Sequence, residues 1–234
     1  MEDTHLHHHE QHLESSDLLK DIVIGMSDGL TVPFALAAGL SGAVSNTSVI
    51  VLAGIAEIAA GSIAMGLGGY LAGKTDADHY RSELRREYEE IETMPDAEKR
   101  EVRAFFQQWG FSPALQDQAV AEITRDKDKW VKFMMKHELD LSEPDPKRAK
   151  KSAFNIGVSY VVGGLIPLSP YFFVANNIQG LKYSVIITLI CLYIFGFFKS
   201  KLTGVSPWAG GLKVMLIGAA AAATAFGITR LIEH

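Results

Sequence analysis

The sequence predicts an all-α fold: a polytopic membrane protein with five transmembrane helices and a three-helix cytosolic insert. Three observations predict it. Charge is segregated: residues 74–151 hold sixteen of the twenty-two Lys and Arg and eighteen of the twenty-seven Asp and Glu, while 20–73 and 153–198 are almost free of charge. Mixed charge confined between apolar blocks is the pattern of a soluble insert in a membrane protein. The apolar blocks also contain runs of about 20 residues, enough for a helix to cross a hydrocarbon core of ~30 Å. Finally, the second run continues from Ala77 through Glu92 with no proline or glycine. That continuity predicts a second transmembrane helix extending into the cytosol.

Residues 1–17 form a polar tail, expected to be flexible, that carries His5, His7, His8, His9 and His12. It lacks a basic segment followed by an apolar one, so it does not read as a signal peptide. Its imidazoles could hold a soft divalent metal, or the stretch is simply an unstructured tail. The organisation expected beyond it is helices 1 and 2 in 18–73, a helical insert in 74–146, and helices 3–5 in 147–234.

The first span covers about 18–42, and Pro33 is expected to kink it and free carbonyls near Asp28 and Gly29. A polar turn at 45–48 caps the second span, 49–73, whose small residues let neighbouring backbones approach closely. In the insert, Pro95 restarts a short helix over 96–109, closed by Gly110. Ser112 and Pro113 begin a further helix to about residue 139, with apolar Leu115, Ala119, Ile123, Trp130 and Met134 at helical spacing. Phe105, Phe106, Trp109, Phe111, Trp130 and Phe133 are expected to form the insert's core, or its contact with the membrane or a second subunit. The third span covers 153–173 with Pro167 and Pro170 interrupting it; the fourth covers 181–198 and the fifth 208–232.

Basic residues in short flanks set the orientation. Lys147, Arg148, Lys150, Lys151, Lys199, Lys201 and Lys213 fall on one side, Lys182 and Arg230 on the other. The N-terminus and residues 74–146 are therefore expected in the cytosol and the C-terminus in a lumen. The single cysteine, Cys191, rules out a disulfide framework or a cysteine zinc site. The insert carries more acid than base, which argues against nucleic acid as a partner.

The chemistry concentrates in a few residues. Asp28 lies inside an apolar run, where a carboxylate costs at least ~2.5–3.5 kcal/mol and usually faces a partner, a cavity or an ion path. Glu57 repeats the anomaly on the next span, and Met65 follows two turns later. A thioether favours late transition metals over magnesium or calcium, so the three together suggest a metal path. Plainer readings remain for each: packing for Met65, a protonated acid bonded between helices for Glu57, a helix-break cap for Asp28. In the insert, Glu87 and Glu90, and again Glu98 and Glu101, are three apart on one helix face. Met134, Met135 and Glu138 could complete a cluster with them, with Glu89, Glu92, Asp96 and His137 as neighbours. Spacing of this kind is common on solvated helices. No Glu-x-x-His pair is present, which argues against a ferritin-like oxidase centre. Tyr160 and Asn155 are polar candidates for lining a path in the third span.

The runs Asp28-Gly29-Leu30-Thr31-Val32-Pro33-Phe34-Ala35 and Glu57-Ile58-Ala59-Ala60-Gly61-Ser62-Ile63-Ala64-Met65-Gly66-Leu67-Gly68-Gly69-Tyr70 closely resemble the vacuolar iron transporter family. The charged insert and the Gly-Gly-Leu-Ile-Pro-Leu stretch at 163–168 fit the same resemblance. The resemblance implies no enzyme and no prosthetic group. It implies instead a homodimer in the vacuolar membrane that moves Fe2+ from cytosol to vacuole in exchange for protons. It also implies metal roles for Asp28 and Met65, a functional acid at Glu57, and a cytosolic metal-binding domain using Glu87, Glu90, Glu98, Glu101, Met134, Met135 and Glu138. One Asp and one Met cannot fill an octahedral shell, but a two-fold dimer would double the ligands. Manganese, or a wider set including Co2+ and Zn2+, is an alternative cargo. A membrane-anchored metal-binding protein or ferroxidase is the alternative class.

Overall fold

The computed structural model describes residues 12–232, with side chains from residue 17 onward. His5, His7, His8 and His9 of the tail lie outside the described residues, and His12 begins the first helix. Among these residues the regular elements are helices: α1 (His12–Ala43), α2 (Thr47–Thr93), α3 (Pro95–Gln108), α4 (Pro113–Ile123), α5 (Lys127–His137), α6 (Arg148–Leu168), α7 (Asn177–Leu202) and α8 (Pro207–Ile232). A 3-10 turn, Ser169–Phe172, follows α6. Five segments are long and apolar enough to cross a membrane: Asp17–Ala43, α2, Arg148–Phe172, α7 and α8. The chain divides into two compact units, Met1–Tyr70 with Lys150–His234, and Leu71–Ala149.

In the first unit, glycine decides how closely helices meet. A methyl added at Gly29 would lie 2.9 Å from the Tyr160 Cα, and one at Gly25 would lie 2.8 Å from the Ser159 Cβ, so α1 rests directly on α6. Likewise α2 meets α6 at Gly66, where an added carbon would lie 2.9 Å from the Ala153 carbonyl oxygen. Backbone atoms cannot step aside as a side-chain tip can. Gly29→Ala is therefore expected to cost ~1–3 kcal/mol or more by overpacking, read as a lower thermal midpoint in detergent. Gly227→Ala, where the added carbon meets nothing within 4 Å, is expected to leave it unchanged or raise it.

Pro33 lies inside α1, and the helix continues through it. Proline has no N–H, so the Gly29 carbonyl still loses its usual donor. The ring is buried, and Gly164 gives it room: a carbon added there would sit 3.1 Å from Pro33 Cγ. The helix α7 starts four residues earlier than its apolar run, because the Asn176 side chain caps it, accepting from the Ile178 and Gln179 N–H groups at 2.9 and 3.1 Å.

In the second unit the single helix expected over 113–139 is two. The break at 124–126 comes from Asp126, whose side chain accepts the Lys129 N–H at 3.0 Å and caps α5. The core gathers Ile91, Val102, Val120, Trp130, Val131, Met134 and Met135, with Phe106 and Phe133 packed against it. Trp109 and Phe111, expected in that core or at a contact with the membrane or a second subunit, are 71% and 42% exposed. They sit on the tight turn after α3, where Gly110 takes a φ of 77° and carries the chain away from the core.

Candidate metal sites

Three helices of the second unit bring one carboxylate each to a common point. Glu87 on α2, Glu98 in the first turns of α3 and Glu138 at the end of α5 each offer an oxygen within 4.8 Å of the others. Glu87 and Glu98 are 1% and 4% exposed. Their Oε2 atoms are buried with no hydrogen-bond partner. A buried anionic oxygen left in that state is costly, so each must hold a proton or face a cation. Burial, then the charges of Glu138, Glu98 and Glu90, push Glu87 up to about 7 despite Arg86 nearby. Burial, then Glu101 and Glu98, push Glu138 to about 7. Burial, then Glu101 and Glu90, push Glu98 to about 6.

The other expected ligands stand around this triad. Glu90 is ion-paired to Arg86 at 3.4 Å, and Glu101 hydrogen-bonds Glu138. Met134 lines a cavity of about 310 Å³ together with Glu101, Glu138 and His137. Both Met134 and Met135 are buried core residues, and His137 is exposed, with its ring against Phe105 and Phe133.

In the first unit Glu57 and Asp28 face different neighbours. Tyr160 donates its hydroxyl proton to Glu57 Oε1, while Oε2 of Glu57 is buried without a partner. Gly61 makes this possible, since a side-chain carbon there would strike the Tyr160 ring at 2.6 Å. Asp28 is half-buried and opens on a cavity of about 570 Å³ whose walls come from α1, α7 and α8. Met65 is partly buried on α2, two turns beyond Glu57. No hydrogen bond joins Asp28 to Glu57 among the described residues.

One acid escaped the sequence reading. Asp21 is 1% exposed and accepts from Ser152 Oγ at 2.9 Å and Asn155 Nδ2 at 3.3 Å. It precedes Asp28 by seven residues and so shares its helix face. That spacing was the available signal, masked because Asp21 adjoins Lys20 and reads as a polar flank. Asn155, expected on a path, is thereby a partner of Asp21.

Five helices long and apolar enough to cross a membrane, two of them carrying acids within the apolar stretch, and a helical unit with converging glutamates define a polytopic helical membrane protein. The VIT family model matches residues 19–230. Vacuolar iron transporter 1 of Arabidopsis thaliana is 47% identical, over 97% of this chain and 91% of its own length. The vacuolar iron transporter of Centaurea cyanus is 51% identical over 95% and 91%. Protein CCC1 of Saccharomyces cerevisiae is 35% identical over 92% and 69%. The chain belongs to the vacuolar iron transporter family.

Proposed function

We propose that this chain carries ferrous iron from the cytosol into the vacuole in exchange for protons, as a homodimer. Three buried carboxylate oxygens without a partner, on Glu57, Glu87 and Glu98, carry this reading. A proton and a metal ion are the alternative occupants of such an oxygen, and a membrane site that trades one for the other while reached from each side in turn performs antiport. In the insert, facing the cytosol, Glu87, Glu98 and Glu138 collect the metal, with Glu90, Glu101, Met134 and Met135 completing the donor set. In the membrane, Asp28 and Met65 of each protomer take it over, with Glu57 as the adjoining acid. Ferrous iron accepts both carboxylate oxygen and thioether sulfur.

The dimer reading draws on α2. Ala56, Ala60, Ala64 and Gly68 form an exposed row at four-residue spacing, flanked by exposed Leu52, Ile55, Ile63 and Leu67. Small residues at that spacing let a second helix approach closely in lipid. On this reading the row faces its copy and brings both Met65 side chains towards one axis.

The test is uptake by proteoliposomes with an acidic interior, offered Fe2+, Mn2+, Co2+, Zn2+, Ca2+ and Mg2+ in turn. Uptake of iron with exclusion of Ca2+ and Mg2+ is expected. Equal uptake of manganese would favour the broader cargo, and oxygen-dependent iron oxidation without uptake would sink the transport reading.

A further inference from the structure

The cavity on which Asp28 opens is also lined by Lys199 and Lys213, with hydroxyls from Ser27, Thr31, Ser200 and Ser206. Two cations beside a cation-handling carboxylate need a reason. Helix register says which lysine is nearer. A carbon added at Gly218 would lie 3.5 Å from Thr31 Cγ2, and one at Gly39 would lie 3.5 Å from the Ala225 Cβ, so α1 and α8 run side by side in the same direction. Carried back one turn, that register sets Lys213 within ~3 Å of the level of Asp28 along the helix axis, at ~1.5 Å per residue. The helix α7 runs the opposite way: Gly196 meets Val214 and Ser200 meets Gly210. Lys199 therefore lies about two residues nearer the α7–α8 connection than Lys213, and about one turn nearer it than Asp28. Among the described residues, neither lysine nor Asp28 has an ion-pair partner.

We infer that Lys213 is a tethered counter-cation for Asp28, which swings onto the carboxylate when no metal is bound and must be displaced when a divalent ion arrives. The inference rests on the transport reading above. An ammonium on a four-carbon stem, fixed at this level, is present at high effective concentration and needs no diffusion to reach the acid. It repels a doubly charged ion twice as strongly as a singly charged one at the same distance. Both effects weaken the hold on metal and speed its release, which keeps a carboxylate site from becoming a trap. Lys213 is thus a positioning and affinity-setting residue, while Asp28 remains the ligand.

The test compares wild type, Lys213→Met, Lys213→Gln and Lys213→Arg, all full-length, by Co2+ and Fe2+ uptake into proteoliposomes with and without anionic lipid. Methionine and glutamine keep much of the lysine stem but not its charge. KM is expected to fall about tenfold in both neutral variants, with a lower maximal rate, and arginine is expected to restore wild-type values. Lys199→Met is expected to give a smaller change in the same direction. An unchanged or raised KM in the neutral variants, or arginine behaving like methionine, would overturn the inference. So would an effect present only with anionic lipid, which would assign Lys213 to a phosphate headgroup. Elution volume and thermal midpoint identify a misfolded variant, and the second neutral substitution then decides. Failure of wild type itself to transport would sink the transport reading instead, so the two failures are distinguishable.

Discussion

Iron uptake into sealed, acid-loaded vesicles is expected to fall to the protein-free background when Asp28 is replaced by Asn. Asparagine keeps the shape and the acceptor oxygen but can neither carry the charge a divalent ion needs nor exchange that ion for a proton. Even residues behind the ligands of a metal site typically contribute ten- to a hundredfold, so losing a ligand charge is expected to cost at least about a hundredfold. The fold is not at stake: no hydrogen bond or ion pair of the Asp28 side chain holds α1 in place among the described residues, and the residue is half-buried beside a cavity. Asp28→Asn is therefore expected to elute and melt like wild type. Proton-coupled iron uptake retained by this variant would remove Asp28 from the path.

The second large effect is a reversal in how pH acts on the insert. Folding raises Glu87 and Glu138 to about 7 and Glu98 to about 6, whereas an unfolded chain titrates its glutamates near ~4.3. Between those limits the folded unit binds more protons than the unfolded one. Its metal-free stability therefore falls as pH rises through that window, by the linkage relation. Metal works in the opposite sense, because it needs the same oxygens ionised. At pH 7.5, Co2+ at about a hundred times its Kd is expected to add ~2.7 kcal/mol, and below about pH 6 most of that gain disappears. Glu87→Gln is expected to flatten both curves. Thermal melts of the full chain from pH 5 to 7.5, with and without Co2+, are the measurement. Equal Co2+ stabilisation at pH 5 and 7.5 would count against the triad as the binding site.

Much of the membrane architecture was legible because lipid leaves few options: length, apolarity and the absence of charge are enough to mark a crossing helix. Local breaks were harder to see. Asp126 interrupts a stretch whose apolar residues keep helical spacing on both sides, so periodicity hides a cap that hydrogen bonding makes plain. The seat that Gly164 offers the Pro33 ring is likewise set by tertiary packing, which no local pattern encodes. The insert's acids show the same division. The repeated three-residue spacing suggested two carboxylates from each helix, yet the fold takes one from each of α2, α3 and the end of α5. Glu90 pairs with Arg86 and Glu101 hydrogen-bonds Glu138, so both stand beside the triad. Lys199 and Lys213 read in the sequence only as markers of orientation. Their place beside Asp28 depends on the register of α1, α7 and α8, which no local pattern encodes.

The central claim is that iron and protons cross in opposite directions through the same carboxylates. It is tested most directly by recording internal iron and internal pH together in proteoliposomes after Fe2+ is added outside. Internal pH rising in step with iron entering, and both changes vanishing in Asp28→Asn, is the predicted result. Iron entering with no change in internal pH, or coupled exchange persisting in Asp28→Asn, would contradict it.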